Sequence, residues 1–465
     1  VQTCALPIFV TQFSPGFTQM PGNLAIGAAR SEAGAFDCGN IVGYELSELG
    51  ITMNWAPVVD LNNPLNRVID VRSFGDEAET VSRLGIAMAK GLNAGGVGAT
   101  AKHFPGLGNT VLRSDNMYIY VNSNDREFMM EHDLVPFREL SRSGIDAIMT
   151  GPIAAPAFEN GQIVPAAVSR HLLTDVLRRQ FQYDGVIFAE DLECGLGAYT
   201  IKKAAQLSVT AGADMIILCH SKTKPLLAYN GLLNAVRKGK IKEERINESV
   251  RRILRLKLNI ENYRKNRKPL SPIEINRKLE RLSSDTVMVL SDPKRLIPLD
   301  KSVYKKILVV LPKLASLSNA DVSETIRCTL GEHLSSEFGS VKIMSVALNP
   351  SPAETDAVLQ AAHAVDLVVV ATENSNEFPE YLRLLHQIAE CRPTVVVSLR
   401  NPYETLYFPE NATVVLAYSP IGTSMEIVKD VLSGHQEARG SLPIRLSDYK
   451  RPSKGEQAAW STPVR

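Results

Sequence analysis

The chain is expected to be an α/β protein, with a TIM-type (β/α) barrel followed by a smaller open α/β layer domain. Three observations predict this. Short apolar runs alternate with amphipathic stretches along most of the 465 residues, which is the order of βαβ units. The runs are continuous rather than alternating, as parallel strands covered on both faces require. Polar or special residues follow most of the early runs, which fits a barrel with its chemistry at the C-terminal rim. An open doubly wound sheet would gather such groups at one switch point instead. The length suits a barrel of about 250 residues plus a domain of about 150–200. The expected division is 1–262 for the barrel, 263–300 for a linker, 301–450 for the second domain and 451–465 for a tail. Val1 to Ile8 does not read as the opening of a domain and no initiator Met is present. The barrel is therefore expected to be incomplete at its N-terminus, with its true start missing.

Taken in order, the candidate barrel strands are 51–59, 96–101, 147–153, 185–189 and 215–219. The residues that follow or close them are Asp60, Lys102-His103, Gly151-Pro152, Glu190-Asp191 and His220. Stretches 79–92 and 172–180 read as amphipathic helices between strands. After Lys102-His103-Phe104, the sequence Pro105-Gly106-Leu107-Gly108 cannot continue a strand. Residues 240–266 are rich in Lys and Arg, but Ile246, Val250, Ile253, Leu254 and Leu258 keep helical spacing. An amphipathic helix with a solvated basic face explains this more simply than a nucleic-acid site. The prolines and charges of 265–272 read as the way out of the first domain. Beyond 300 the strand candidates are 306–311, 341–347, 367–371, 394–399 and 413–417, with helices at 353–364 and 380–390. No Gly-x-Gly-x-x-Gly follows the first of them, so no dinucleotide is implied.

Composition narrows the partners. A net charge of +1 and a pI near 7.7 give no electrostatic argument for nucleic acid or an anionic membrane. No apolar run reaches the roughly 18 residues of a membrane span. There is no basic n-region or signal peptide in this chain, which leaves cytoplasmic and cell-surface locations both open. Six scattered cysteines form no Cys-x-x-Cys pair, so buried free thiols are expected rather than zinc or a disulfide framework. No metal-ligand spacing and no Gly-x-Ser-x-Gly occurs, and no cofactor is expected. Oligomeric state is left open.

Ordered blocks then resemble a known family. They are Phe17-Thr18-Gln19-Met20-Pro21-Gly22-Asn23; Ala56-Pro57-Val58-Val59-Asp60 with Val71-Arg72-Ser73-Phe74-Gly75; and Lys102-His103-Phe104-Pro105-Gly106. Next come Pro165-Ala166-Ala167-Val168-Ser169 with Asp184-Gly185-Val186-Ile187-Phe188, then the helix from Arg245 to Leu254, then Gly440-Ser441-Leu442-Pro443. Together they resemble the glycoside hydrolase family 3 pattern, in its two-domain β-N-acetylhexosaminidase-like branch, over nearly the whole chain.

The resemblance implies a retaining hydrolase of terminal β-linked N-acetylhexosaminides, of cell-wall or chitin type. Such an enzyme works through a carboxylate nucleophile and a proton donor, about 5–6 Å apart. The nucleophile position falls on Glu190, where the family has Asp. The family's acid/base is an Asp-x-His pair; counted from Lys102, its Asp falls on Arg113 and its His on Asp115. Asp115 is then the available proton donor. Arg72, Lys102 and His103 match positions that hold sugar hydroxyls, and their side chains supply the needed donors. Asp60 joins them at the rim, and Gln12 sits where the family carries an Arg. The alternative is a catalytically degenerate homologue that binds carbohydrate or serves as a scaffold.

Overall fold

The computed structural model describes residues 16–113, 119–193, 199–314 and 326–449. The chain divides into two compact units. One is centred on Glu32–Ile275, the other on the chain from Asn276 onward together with the helix Asn23–Ala29. That helix falls within the expected barrel span. It joins the second unit because Ala28 O accepts from both Ser441 N and Ser441 Oγ at 2.8 Å.

In the first unit, in chain order, the strands are β1 (Met53–Asn54), β2 (Gly98–Phe104), β3 (Val111–Arg113), β4 (Ile119–Val121), β5 (Ala147–Thr150), β6 (Ile153–Ala154), β7 (Val186–Ala189) and β8 (Met215–Ile216). Five of them pair in the order β1-β2-β5-β7-β8, and every pairing is parallel. This curled sheet is the TIM-type half-barrel. β3, β4 and β6 form a separate small sheet beside it. All seven residues of β2 are buried, which is why its run carries no alternation. β2 also runs on through Lys102, His103 and Phe104, beyond the expected end at 101. Lys102 N donates to Pro57 O at 3.1 Å and Val59 N to Lys102 O at 2.8 Å, so a neighbouring segment keeps it in the ladder. Helices Glu32–Glu48 and Ala78–Ala94 cross on glycines. A Cβ at Gly91 would lie 2.1 Å from Phe36 O, and one at Gly39 would lie 2.2 Å from Met88 O.

The helix Glu243–Asn266 forms, and Ile246 and Ile253 of the expected face pack inward, but the rest of that face is rotated from what its spacing suggested. Ser249, Leu256 and Ile260 are buried, while Val250, Leu254 and Leu258 are exposed. A buried carboxylate decides the rotation. Asp214 Oδ1 accepts from Ser249 Oγ at 2.6 Å and pairs with Arg245 and Arg252 at 3.3 and 3.4 Å. Arg178 meets Asp214 Oδ2 at 2.5 Å. Part of the basic face expected in solvent is therefore spent on neutralising Asp214, since a buried charge must be paired.

The second unit is an open sheet in the order β11-β10-β12-β13-β14-β9. Its strands are β9 (Met288–Ser291), β10 (Ile307–Pro312), β11 (Val341–Val346), β12 (Leu367–Thr372), β13 (Thr394–Ser398) and β14 (Thr413–Leu416). All are parallel except β9, which lies antiparallel on β14. Residues 263–300, expected as linker, instead hold the end of one helix, the helix Pro272–Ser284 and the edge strand β9. Leu279 and Leu282 are the apolar anchors of that second helix. Of the described cysteines, Cys38 and Cys328 are buried thiols as expected, but Cys219 is exposed. No helix among the described residues is long and apolar enough to cross a membrane.

Candidate active site

Lys102 and His103 sit on β2 where the strand hands over to a turn, and Gly106 takes a φ of 115° in that turn. Only glycine adopts such an angle without strain. One carboxylate organises the segment. Asp60 Oδ2 lies 2.7 Å from His103 Nδ1, His103 N is 3.2 Å from both Asp60 oxygens, and Leu107 N donates to Asp60 Oδ1 at 2.6 Å. Asp60 is 1% exposed, and its oxygens are occupied by protein groups. It therefore reaches the site through His103 and the loop rather than by contact of its own.

His103 is buried, and burial lowers its pKa to about 4 despite the Asp60 contact. At neutral pH the ring is uncharged. With Nδ1 donating to Asp60, Nε2 offers a hydroxyl an acceptor, not the donor expected from sequence. Arg72, in the short helical turn Asp70–Arg72, is buried and donates through Nη1 to Val68 O at 2.9 Å. Lys102 is buried beside it. Burial depresses both basic groups, and Arg72 depresses Lys102 further, while Asp60 and Glu190 oppose the shift.

Glu190 is the first residue beyond β7, and its backbone N donates to Thr150 Oγ1 at the end of β5 at 3.1 Å. Burial pushes its carboxyl above the usual range. Lys102 first and Arg72 second pull it back, while Asp60 and Asp191 add to the rise. Its Oε2 is shielded from solvent and has no hydrogen-bond partner among the described residues. The fold thus gathers Lys102 and His103 from the end of β2, Arg72 from a helical turn and Glu190 from the end of β7 into one electrostatic neighbourhood. Gln12 and Asp115 lie outside the described residues.

Sequence reasoning missed three supports. Thr150 holds Glu190's backbone. Asp133, 3% exposed, accepts from Asn109 at 2.7 Å and Asn122 at 2.6 Å and so ties down the loop after His103. Asp191 pairs with His220 at 3.0 Å. Of these, Asp191 and His220 carried a signal, as polar residues following strand runs.

The arrangement is an acid–base and electrostatic one: a poised carboxylate, two buried cations and a neutral imidazole. Comparison with known proteins finds relatives among glycoside hydrolases. The family described as "Glycosyl hydrolase family 3 N terminal domain" matches residues 9–256. The chain is 27% identical to a β-hexosaminidase A of Pseudoalteromonas piscicida, over 92% of this chain and 80% of that one. It is 35% identical to a β-hexosaminidase of Neisseria meningitidis over 220 residues, 45% of this chain and 60% of that one. Among solved structures, a family 3 β-N-acetylglucosaminidase from a Paenibacillus species superposes with a TM-score of 0.84 at 34% identity. That match covers 93% of this chain and 84% of the other.

Proposed function

The chain belongs to glycosyl hydrolase family 3, and from that premise we propose that it hydrolyses terminal β-linked N-acetylhexosaminides with retention, using Glu190 as nucleophile. The observation that carries the proposal is Glu190 Oε2: a shielded carboxylate oxygen with no hydrogen-bond partner among the described residues, at a strand end and in the field of Lys102 and Arg72. A carboxylate already committed to hydrogen bonds would be a poorer nucleophile. In the proposed reaction Glu190 attacks the anomeric carbon, and water later releases the sugar from the covalent intermediate. Lys102 and Arg72 oppose the burial that raises the Glu190 carboxyl and face the sugar hydroxyls, with His103 Nε2 as an acceptor beside them. The relatives named above are β-hexosaminidases and a β-N-acetylglucosaminidase, which supports the sugar class. The reading as a non-catalytic carbohydrate-binding scaffold has no observation in its favour.

The test is turnover of a chromogenic β-N-acetylglucosaminide, with the β-glucoside as comparison. The wild type is expected to release the chromophore with preference for the N-acetyl sugar. Glu190→Gln should lose roughly a thousandfold or more of kcat. Equal rates for wild type and variant would refute the proposal.

A further inference from the structure

Tyr120 is a polar side chain beside the site that the proposed reaction leaves unused. It lies on β4, which pairs with β6 rather than with the main sheet. Tyr120 stands opposite Ile153 in that pairing, and its backbone N donates to Pro152 O at 2.9 Å. Two residues on, Asn122 N donates to Ala154 O at 3.0 Å and Asn122 Nδ2 to Asp133 Oδ2 at 2.6 Å. The strand carrying Tyr120 is thus held by the segment after β5 and by the carboxylate that ties down the loop after His103.

The segment after β5 brings this strand to the site. Thr150 holds the Glu190 backbone, and Gly151 N donates to Phe104 O at 2.9 Å. A Cβ on Gly151 would lie 2.7 Å from His103 Cβ and 2.7 Å from Ile153 Cδ1, so His103 and Ile153 flank one backbone position. The Tyr120 ring packs against the buried cluster of Val58, Ile69, Leu107 and Ile153. Three of these adjoin site groups: Val58 precedes Asp60 by two residues, Ile69 precedes Arg72 by three, and Leu107 N donates to Asp60. The ring is therefore seated where the segments bearing Asp60, Arg72 and His103 converge. The phenol lies within electrostatic reach of Arg72 and Glu190.

Tyr120 is half-buried, and its hydroxyl makes no hydrogen bond among the described residues. Burial first and Glu190 second raise its pKa, with Arg72 opposing, so the phenol keeps its proton at neutral pH. It can then both donate and accept, which is what a sugar hydroxyl needs from a partner. Its neighbours are more committed: His103 Nδ1 is engaged by Asp60, and Arg72 Nη1 donates to Val68 O. We propose that Tyr120 is a substrate-contacting, specificity-determining residue whose phenolic O–H hydrogen-bonds one hydroxyl of the terminal N-acetylhexosaminide. It takes no part in proton transfer to the leaving group.

The inference rests on the hydrolase reading above, and deoxy substrates separate the two. Tyr120→Phe keeps the packed ring and removes only the hydroxyl, so it should melt like wild type. On aryl β-N-acetylglucosaminides it should lose roughly 3- to 10-fold in kcat/KM. That loss should be the same for aglycones of differing basicity, because the contact is to the sugar. Among the 3-, 4- and 6-deoxy aryl substrates, the wild type should lose a similar factor at the position Tyr120 contacts. Tyr120→Phe should lose nothing further at that position and should keep the wild-type penalty at the other two. Wild-type turnover with all three penalties unchanged in Tyr120→Phe overturns the inference and leaves the hydrolase reading standing. A loss that grows with the basicity of the leaving group also overturns it, since Tyr120 would then act on the departing oxygen. A wild type without turnover overturns the hydrolase reading and this inference with it.

Discussion

At the scale of single residues, the site depends on opposite charges held where neither would be stable alone. Burial raises the Glu190 carboxyl and lowers the Lys102 amine, and each opposes the other's shift. The acid limb of kcat/KM should therefore lie above the ordinary Glu range of about 4.3. Lys102 is the largest attraction on Glu190, so Lys102→Met should move that limb higher still; the check is the pH–rate profile of the variant. Asp60 acts at the same scale. Asp60→Ala would leave His103 N, His103 Nδ1 and Leu107 N buried without their acceptor. The expected cost is roughly 2–5 kcal/mol by urea unfolding, with a fall in kcat/KM as the loop loses its anchor.

Secondary-structure elements show where local rules yield to packing. Helix propensity alone would make Gly91→Ala stabilising by up to about 1 kcal/mol. The crossing of Glu32–Glu48 over Ala78–Ala94 reverses the sign, because a Cβ there would meet Phe36 O at 2.1 Å. A net loss of about 1–3 kcal/mol is expected, read as a lowered Tm. The helix Glu243–Asn266 teaches the same lesson. Its heptad-like spacing announced a helix correctly, yet Val250, Leu254 and Leu258 face outward. Asp214, 35 residues before Ser249, sets the rotation. Strand β9 was illegible for a related reason. Val287-Met288-Val289-Leu290 is a continuous apolar run, but Met288–Ser291 forms a half-exposed antiparallel edge, and its place is set by pairing with β14 rather than by a βα repeat.

For the molecule as a whole, pH enters stability through buried carboxyls such as Asp133, whose pKa burial raises to about 6. The sign follows from linkage. A carboxyl with a raised folded-state pKa binds its proton more tightly folded than unfolded. Its contribution is full below about pH 4 and is lost as pH rises through about 6. Between those values the wild type should lose up to about 3 kcal/mol relative to Asp133→Asn, measured by urea unfolding at both ends. What the sequence by itself determined was local: five continuous apolar runs for each parallel sheet, and the polar residues Lys102, His103, Glu190 and His220 that close or follow those of the first. Those features survive because strand burial and strand endings are written in neighbouring residues. Tertiary structure decided which polar groups meet. The pairing of Asp60 with His103 spans 43 residues and that of Asp191 with His220 spans 29, and no spacing rule reaches across such loops. Chain folding alone brings those carboxylates to those imidazoles, and the hydrogen-bonding role of the His103 ring depends on the Asp60 it meets.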